Sequence, residues 1–123
     1  MTIFSESPLS ESGVLIKAVI NTCSQLHVNQ AKLSEILGVS PATVSRMFDG
    51  KETKAMSGKT AEIAKLFIRV YIALGSLFDD PDNEREWFTS ENRGLGGIPA
   101  NLVTSAEGLV NVLGYLETYA GHR

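Results

Sequence analysis

Residues 30–47 read QAKLSEILGVSPATVSRM, and the fold is decided by how this stretch is read. Asn29 stands where its side chain can cap a helix running from Gln30 to Leu37. Gly38 follows, and glycine accepts the left-handed conformation that closes a helix. Ser40-Pro41 then opens a second helix, with serine as the cap and proline at the first helical position, where its missing N–H costs nothing. That helix runs to about Asp49 and stops at Gly50. Two helices joined by so tight a turn need a small residue where they touch and apolar residues to lock them. Ser34 is the small residue, and Leu33, Leu37, Val39, Val44 and Met47 are the locks. The pattern fits a helix-turn-helix; the plain alternative is a helical hairpin with no nucleic-acid role.

Charge favours the first reading. The 123 residues carry a net charge of −3, which alone argues against nucleic acid. The distribution is uneven: residues 30–70 hold seven Lys and Arg against four Asp and Glu, whereas residues 71–123 hold three against eight. A basic middle and an acidic end suggest two faces for two partners. In a helix-turn-helix the second helix enters the major groove. Ser40, Pro41, Ala42, Thr43, Ser45 and Arg46 would then face DNA, with Arg46 the only long donor able to fork onto guanine. Gln30, Lys51 and Lys54 are placed to hold phosphates. So few base contacts per chain imply a dimer on paired half-sites. Pro41 and Ala42, where readout is expected, leave open a chain that has lost DNA binding.

Outward from this core every strong periodicity is helical, and the fold class is all-α. Val14, Leu15, Ala18, Val19, Thr22 and Leu26 mark a helix over about 12–27, with Ser12 as its cap and Cys23 packed in its apolar stripe. Lys51 to Ser57 reads as a polar loop. A long helix from Gly58 to Leu77 presents Ile63, Leu66, Phe67, Val70, Leu74 and Leu77 on one face. Asp79 to Asn83 breaks it, and Glu84 to Phe88 is a short helix. A glycine-rich turn spans Asn92 to Pro99. Thr104 with Glu107 fits a capping box for a last helix bearing Leu109, Val110, Val112, Leu113, Leu116 and Tyr119.

Enzymatic motifs fail on inspection. Gly58-Lys59-Thr60 lacks the glycine five residues earlier that a phosphate loop needs, because Thr53 is there. Gly94-Leu95-Gly96 lacks the third glycine of a dinucleotide fingerprint. The acids from Asp79 to Glu86 do not follow a calcium-loop frame and read as a solvated loop. One cysteine and two distant histidines make a metal site unexpected. No enzyme and no cofactor are expected. Neither a secretory signal nor a membrane-spanning apolar run is read, so the expected location is cytoplasmic.

The second half carries Trp87-Phe88, Asn92, the run from Leu95-Gly96-Gly97-Ile98-Pro99 to Val103, then Glu107-Gly108-Leu109-Val110 and Tyr115-Leu116. From about Ala64 onward the chain resembles the toxin-binding domain of the Xre/ParS-type antitoxins, whose architecture also includes a preceding helix-turn-helix. The resemblance implies a bacterial type II antitoxin with a helix-turn-helix region over residues 1–60 and a toxin-binding domain over 61–123. It implies a RES-domain, NAD-depleting toxin as partner, although some relatives pair with ADP-ribosyltransferase-like toxins. It also implies homodimers, repression of the antitoxin's own promoter, and a C-terminal end that covers the toxin's cleft. Glu117, Tyr119, Gly121, His122 and Arg123 are the toxin-contact candidates on this reading. Relatives often place a basic residue before the terminal glycine, where this chain has Ala120; Arg123 or His122 would substitute. Trp87 and the Leu95–Pro99 turn read as structural. The rival from another class is a stand-alone helix-turn-helix regulator whose C-terminal half senses a small molecule.

Overall fold

The computed structural model describes residues 11–51, 56 and 58–120. Among these residues there are seven helices and no strand. They are α1 (Glu11–Leu26), α2 (Gln30–Leu37), α3 (Pro41–Phe48), α4 (Gly58–Leu77), α5 (Pro81–Thr89), α6 (Pro99–Leu102) and α7 (Ala106–Ala120). None is long and apolar enough to cross a membrane.

The local signals around residues 29–50 act as their chemistry dictates. The Asn29 side chain accepts the Lys32 N–H at 2.8 Å and caps α2. Gly38 closes α2 at φ 71°, and its N–H reaches the Ser34 carbonyl at 2.9 Å. Ser40 Oγ accepts the Thr43 N–H at 3.1 Å, with Pro41 opening α3. Ser34 is buried where α2 must stay thin, and its hydroxyl donates to the Ala31 carbonyl at 2.9 Å. Asn29 and Ser40 each satisfy a backbone donor, and the Gly38 N–H a carbonyl acceptor, that would otherwise lack a partner.

α4 is the central element and packs against α1, α2, α5 and α7. Its Ala64, Phe67, Val70, Ala73 and Leu74 are buried. A single apolar cluster runs from Leu15 on α1 through Phe67 and Phe88 to Leu116 on α7. Burying one side chain of this kind stabilises a fold by about 1.5–3 kcal/mol. Polar ties join distant segments as well. Arg85 Nε on α5 donates to the Gln25 carbonyl near the end of α1 at 2.7 Å, and its Nη1 meets Asp82 at 2.7 Å. Lys32 Nζ on α2 donates to Asn101 Oδ1 on α6 at 3.0 Å. Cys23 is buried as expected, and burial pushes its thiol pKa up to about 12, so it is an inert core atom.

Four expectations are corrected. First, α1 begins at Glu11, so Ser12 lies inside the helix and is not its cap. Second, α5 begins at Pro81 and not at Glu84. Asp80 caps it by accepting the Asp82 N–H at 2.9 Å, which repeats the cap-then-proline chemistry of Ser40-Pro41 inside an acidic run. Third, α7 is capped by Ser105, whose Oγ accepts the Gly108 N–H at 3.0 Å. The Thr104 hydroxyl turns back instead to donate to the Asn101 carbonyl at 2.7 Å, the Leu109 N–H reaches the Ser105 carbonyl, and the box with Glu107 does not form. Ser105→Ala should therefore cost about 1 kcal/mol in urea unfolding and Thr104→Val less than half of that, about 0.5 kcal/mol or under. The reverse order would restore the Thr104 cap. Fourth, Val14, Val110 and Tyr119, expected on buried faces, are 47%, 55% and 53% exposed. In the segment read as a polar loop, Lys51 is exposed and Met56 is a buried anchor; residues 52–55 and 57 lie outside the described residues.

Glu84 is 8% exposed on α5, with Oε2 lying 3.9 Å from where a Cβ on Gly75 of α4 would stand. Burial raises its carboxyl pKa, Arg85 opposes this in part, and Asp80 adds to it. A carboxyl raised in the folded state binds its proton more tightly there than in the unfolded chain. Its favourable contribution is complete below the ordinary carboxylate range and is lost as pH rises through the folded pKa. Glu84→Gln should thus melt at a higher temperature than the wild type at neutral pH. The gap should close by about pH 4, and a gap that instead widens on acidification would show the opposite sign.

Candidate functional site

Two surfaces of the bundle gather the expected site residues. The first is α3. Val44 and Met47 are 0% and 1% exposed and face α2 and the core. The opposite arc presents Pro41, Ala42, Ser45 and Arg46, all exposed. Ser40 and Thr43 are occupied locally, because their hydroxyls hydrogen-bond each other at 2.9 Å while Ser40 caps the helix. Their part is therefore to set the start of α3. Gln30 is exposed at the first position of α2, and Lys51 is exposed just after α3 with its N–H on the Arg46 carbonyl at 2.8 Å. Asp49 is also exposed at the end of α3 and places one negative charge near this surface. Lys54 lies outside the described residues.

The second surface lies in the C-terminal half. The turn from Asn92 to Gly97 closes on itself: the Asn92 N–H donates to the Gly97 carbonyl at 2.9 Å, its carbonyl accepts the Gly96 N–H at 2.9 Å, and its Oδ1 accepts the Leu95 N–H at 3.0 Å. This is the structural part expected of the turn, and buried Pro99 opens α6 directly after it. The turn lies against α7 at Gly94, where a Cβ would stand 2.8 Å from the Tyr115 ring. Trp87, expected in the core, is only half-buried. Its ring centroid is 6.3 Å from that of Tyr115, which in turn is 4.9 Å from Tyr119. With Leu77, Phe78 and Leu116 these rings line an open groove of about 370 Å³. Hydrogen bonding to Tyr115 raises the Tyr119 pKa, so the phenol remains neutral at physiological pH.

Of the other C-terminal candidates, Glu117 is held across the bundle by Arg69 of α4, with Nη2 2.9 Å from Oε2. The pair is about half exposed and joins α4 to α7. Gly121, His122 and Arg123 lie outside the described residues. Sequence reasoning missed the Arg69–Glu117 pair and the joining of Trp87 with Tyr115 and Tyr119. The second had a local signal, since Tyr115 and Tyr119 are four apart and share a helix face.

Residues 6–69 match the family model of the antitoxin Xre-like helix-turn-helix domain, which is more than half of the chain. The chain belongs to this antitoxin family. Residues 73–121 match the antitoxin Xre/MbcA/ParS C-terminal toxin-binding domain. No curated protein matches the chain. The two family matches meet inside α4, the helix that both halves share. The antitoxin is thus a helix-turn-helix, DNA-binding protein with a toxin as partner, and neither matched domain is of an enzymatic family.

Proposed function

We propose that this antitoxin neutralises a RES-domain, NAD-depleting toxin by direct binding, and that it represses its own operon as a homodimer. The observation that carries this reading is the succession in one chain of the helix-turn-helix match and the toxin-binding match. Residues 1–60 serve DNA and residues 61–123 serve the toxin, with α4 built into both. Neutralisation is steric: the acidic half covers a cleft and no bond is made or broken. Glu117, Tyr119 and the tail Gly121-His122-Arg123 form the toxin-facing end. Glu117 contributes through its clamp on Arg69.

On DNA, Arg46 reads a base edge, Pro41, Ala42 and Ser45 lie against the groove, and Ser40 and Thr43 fix the start of α3. Gln30, Lys51 and Lys54 hold phosphates. The sparse readout calls for two copies on paired half-sites, because each good base contact is worth only about 1–3 kcal/mol.

The test is co-expression with the product of the neighbouring open reading frame. Expression of that product alone should stop growth and lower cellular NAD; adding this chain should restore both, and the two proteins should co-purify. Growth arrest with NAD unchanged would overturn the RES assignment. No rescue and no co-purification would overturn the antitoxin reading itself.

A further inference from the structure

The bundle has two open apolar grooves of note. One, of about 510 Å³, is lined by Val14, Leu15 and Ala18 of α1 with Lys65, Ile68 and Arg69 of α4. All six residues fall in the segment matched as helix-turn-helix domain. The other is the aromatic groove of Leu77, Phe78, Trp87, Tyr115, Leu116 and Tyr119, and all six of its residues fall in the segment matched as toxin-binding domain. The division assigns the aromatic groove to the toxin.

Its rim indicates what it would accept. Asp79 and Asp80 follow Phe78 directly in the chain, and Glu91 comes two residues after α5 ends at Thr89, ahead of the turn that lies against Tyr115; all three are exposed. Arg93 on the adjoining turn is the neighbouring cation, and Arg85 of α5 is engaged by Asp82 and the Gln25 carbonyl. Aromatic faces attract a cation through the ring quadrupole, and surrounding carboxylates add to that attraction. Tyr and Trp also supply contact area with little loss of side-chain freedom, which is why they recur at the energetic centres of interfaces.

We infer that the Trp87–Tyr115–Tyr119 groove receives a basic element of the toxin, with a lysine or arginine side chain laid against the open faces of the ring cluster and beside the acidic rim. This rests on the antitoxin reading and names the surface and the chemistry that reading leaves unspecified.

Trp87 is the only tryptophan in the chain, so incorporation of 5-fluorotryptophan gives a single fluorine signal from the groove itself. On titration with unlabelled toxin that signal should move. Tyr119→Ala and Glu91→Lys should each raise the dissociation constant by about tenfold or more, while Tyr119→Phe, which keeps the ring, should bind within about twofold of wild type. Val110, exposed on α7 nine residues before Tyr119 and so on the opposite side of the helix, supplies the control. Val110→Ser should also bind within about twofold of wild type. A fluorine signal unmoved in the saturated complex, or undiminished affinity in both Tyr119→Ala and Glu91→Lys, overturns the groove assignment while leaving the antitoxin reading intact. A wild-type chain that does not bind the toxin removes both.

Discussion

Gly108→Ala is expected to be among the most damaging single-methyl changes in this protein. Gly108 lies in the first turn of α7, which begins shortly after α6 ends and packs against it. A Cβ built there overlaps the Leu102 carbonyl oxygen and comes within 2.8 Å of the Leu102 carbonyl carbon. These are backbone atoms at the end of α6, so they cannot swing aside as a side-chain tip would. Leu102 is itself held, since its N–H donates to the Ile98 carbonyl at 3.0 Å and its side chain packs 3.3 Å from where a Cβ on Gly97 would stand. Relief requires α7 to shift relative to α6, and α7 also packs along α4. The expected loss is about 3 kcal/mol or more, a fall in melting temperature on the order of 10 °C or greater. Gly114, on the same helix, gives the matched control. It is exposed, and nothing stands within 4 Å of its would-be Cβ. Gly114→Ala should therefore stabilise by roughly 0.5–1 kcal/mol, because alanine gives up less backbone freedom on entering a helix. Thermal melts of the two variants should move in opposite directions; a Gly108→Ala protein that melts with the wild type would mean that the α6–α7 joint is not as tight as described.

Arg46→Ala should have the largest effect on DNA. On the exposed arc of α3, Arg46 is the only long cationic side chain; Pro41, Ala42 and Ser45 offer shape and one hydroxyl. Loss of a forked arginine–base contact is worth about 1–3 kcal/mol, so operator affinity should fall by about tenfold to a hundredfold at fixed salt. Discrimination at one base position should relax with it. Lys51→Ala should behave differently: a phosphate contact weakens all sequences alike and lowers the salt slope by about one. If Arg46→Ala weakens every sequence equally and changes only the salt slope, its partner is a phosphate and base readout lies elsewhere.

Much of this architecture is legible without coordinates because the decisive signals are local. Asn29, Gly38 and Ser40-Pro41 each act within four residues of themselves, and α2 and α3 begin and end where those residues require. The same chemistry at Asp80-Pro81 is masked in the sequence, because five acids between Asp79 and Glu86 read as a solvated break. The choice between Thr104 and Ser105 was not local. It depended on α6 ending at Leu102 and taking up the Thr104 hydroxyl, and nothing in the adjacent residues records that. The candidate sites divide in the same way. The outward arc of α3 follows from the helical period once Val44 and Met47 are known to face inward. The aromatic groove draws on α4, α5 and α7, and the Arg69–Glu117 clamp joins residues forty-eight apart, so only the packed bundle reveals them. Glu117, a toxin-contact candidate by its place on the last helix, carries no local sign of its Arg69 partner on α4.

The central claim is that one helical bundle carries two separable surfaces, α3 for the operator and the Trp87–Tyr119 end for the toxin. It is tested most directly by measuring both affinities on the same two variants, each purified and checked by thermal melting. Arg46→Ala should lose operator binding and hold the toxin as tightly as wild type, and Tyr119→Ala should do the reverse. Loss of both activities in each variant at unchanged melting temperature, or the losses exchanged, would contradict it.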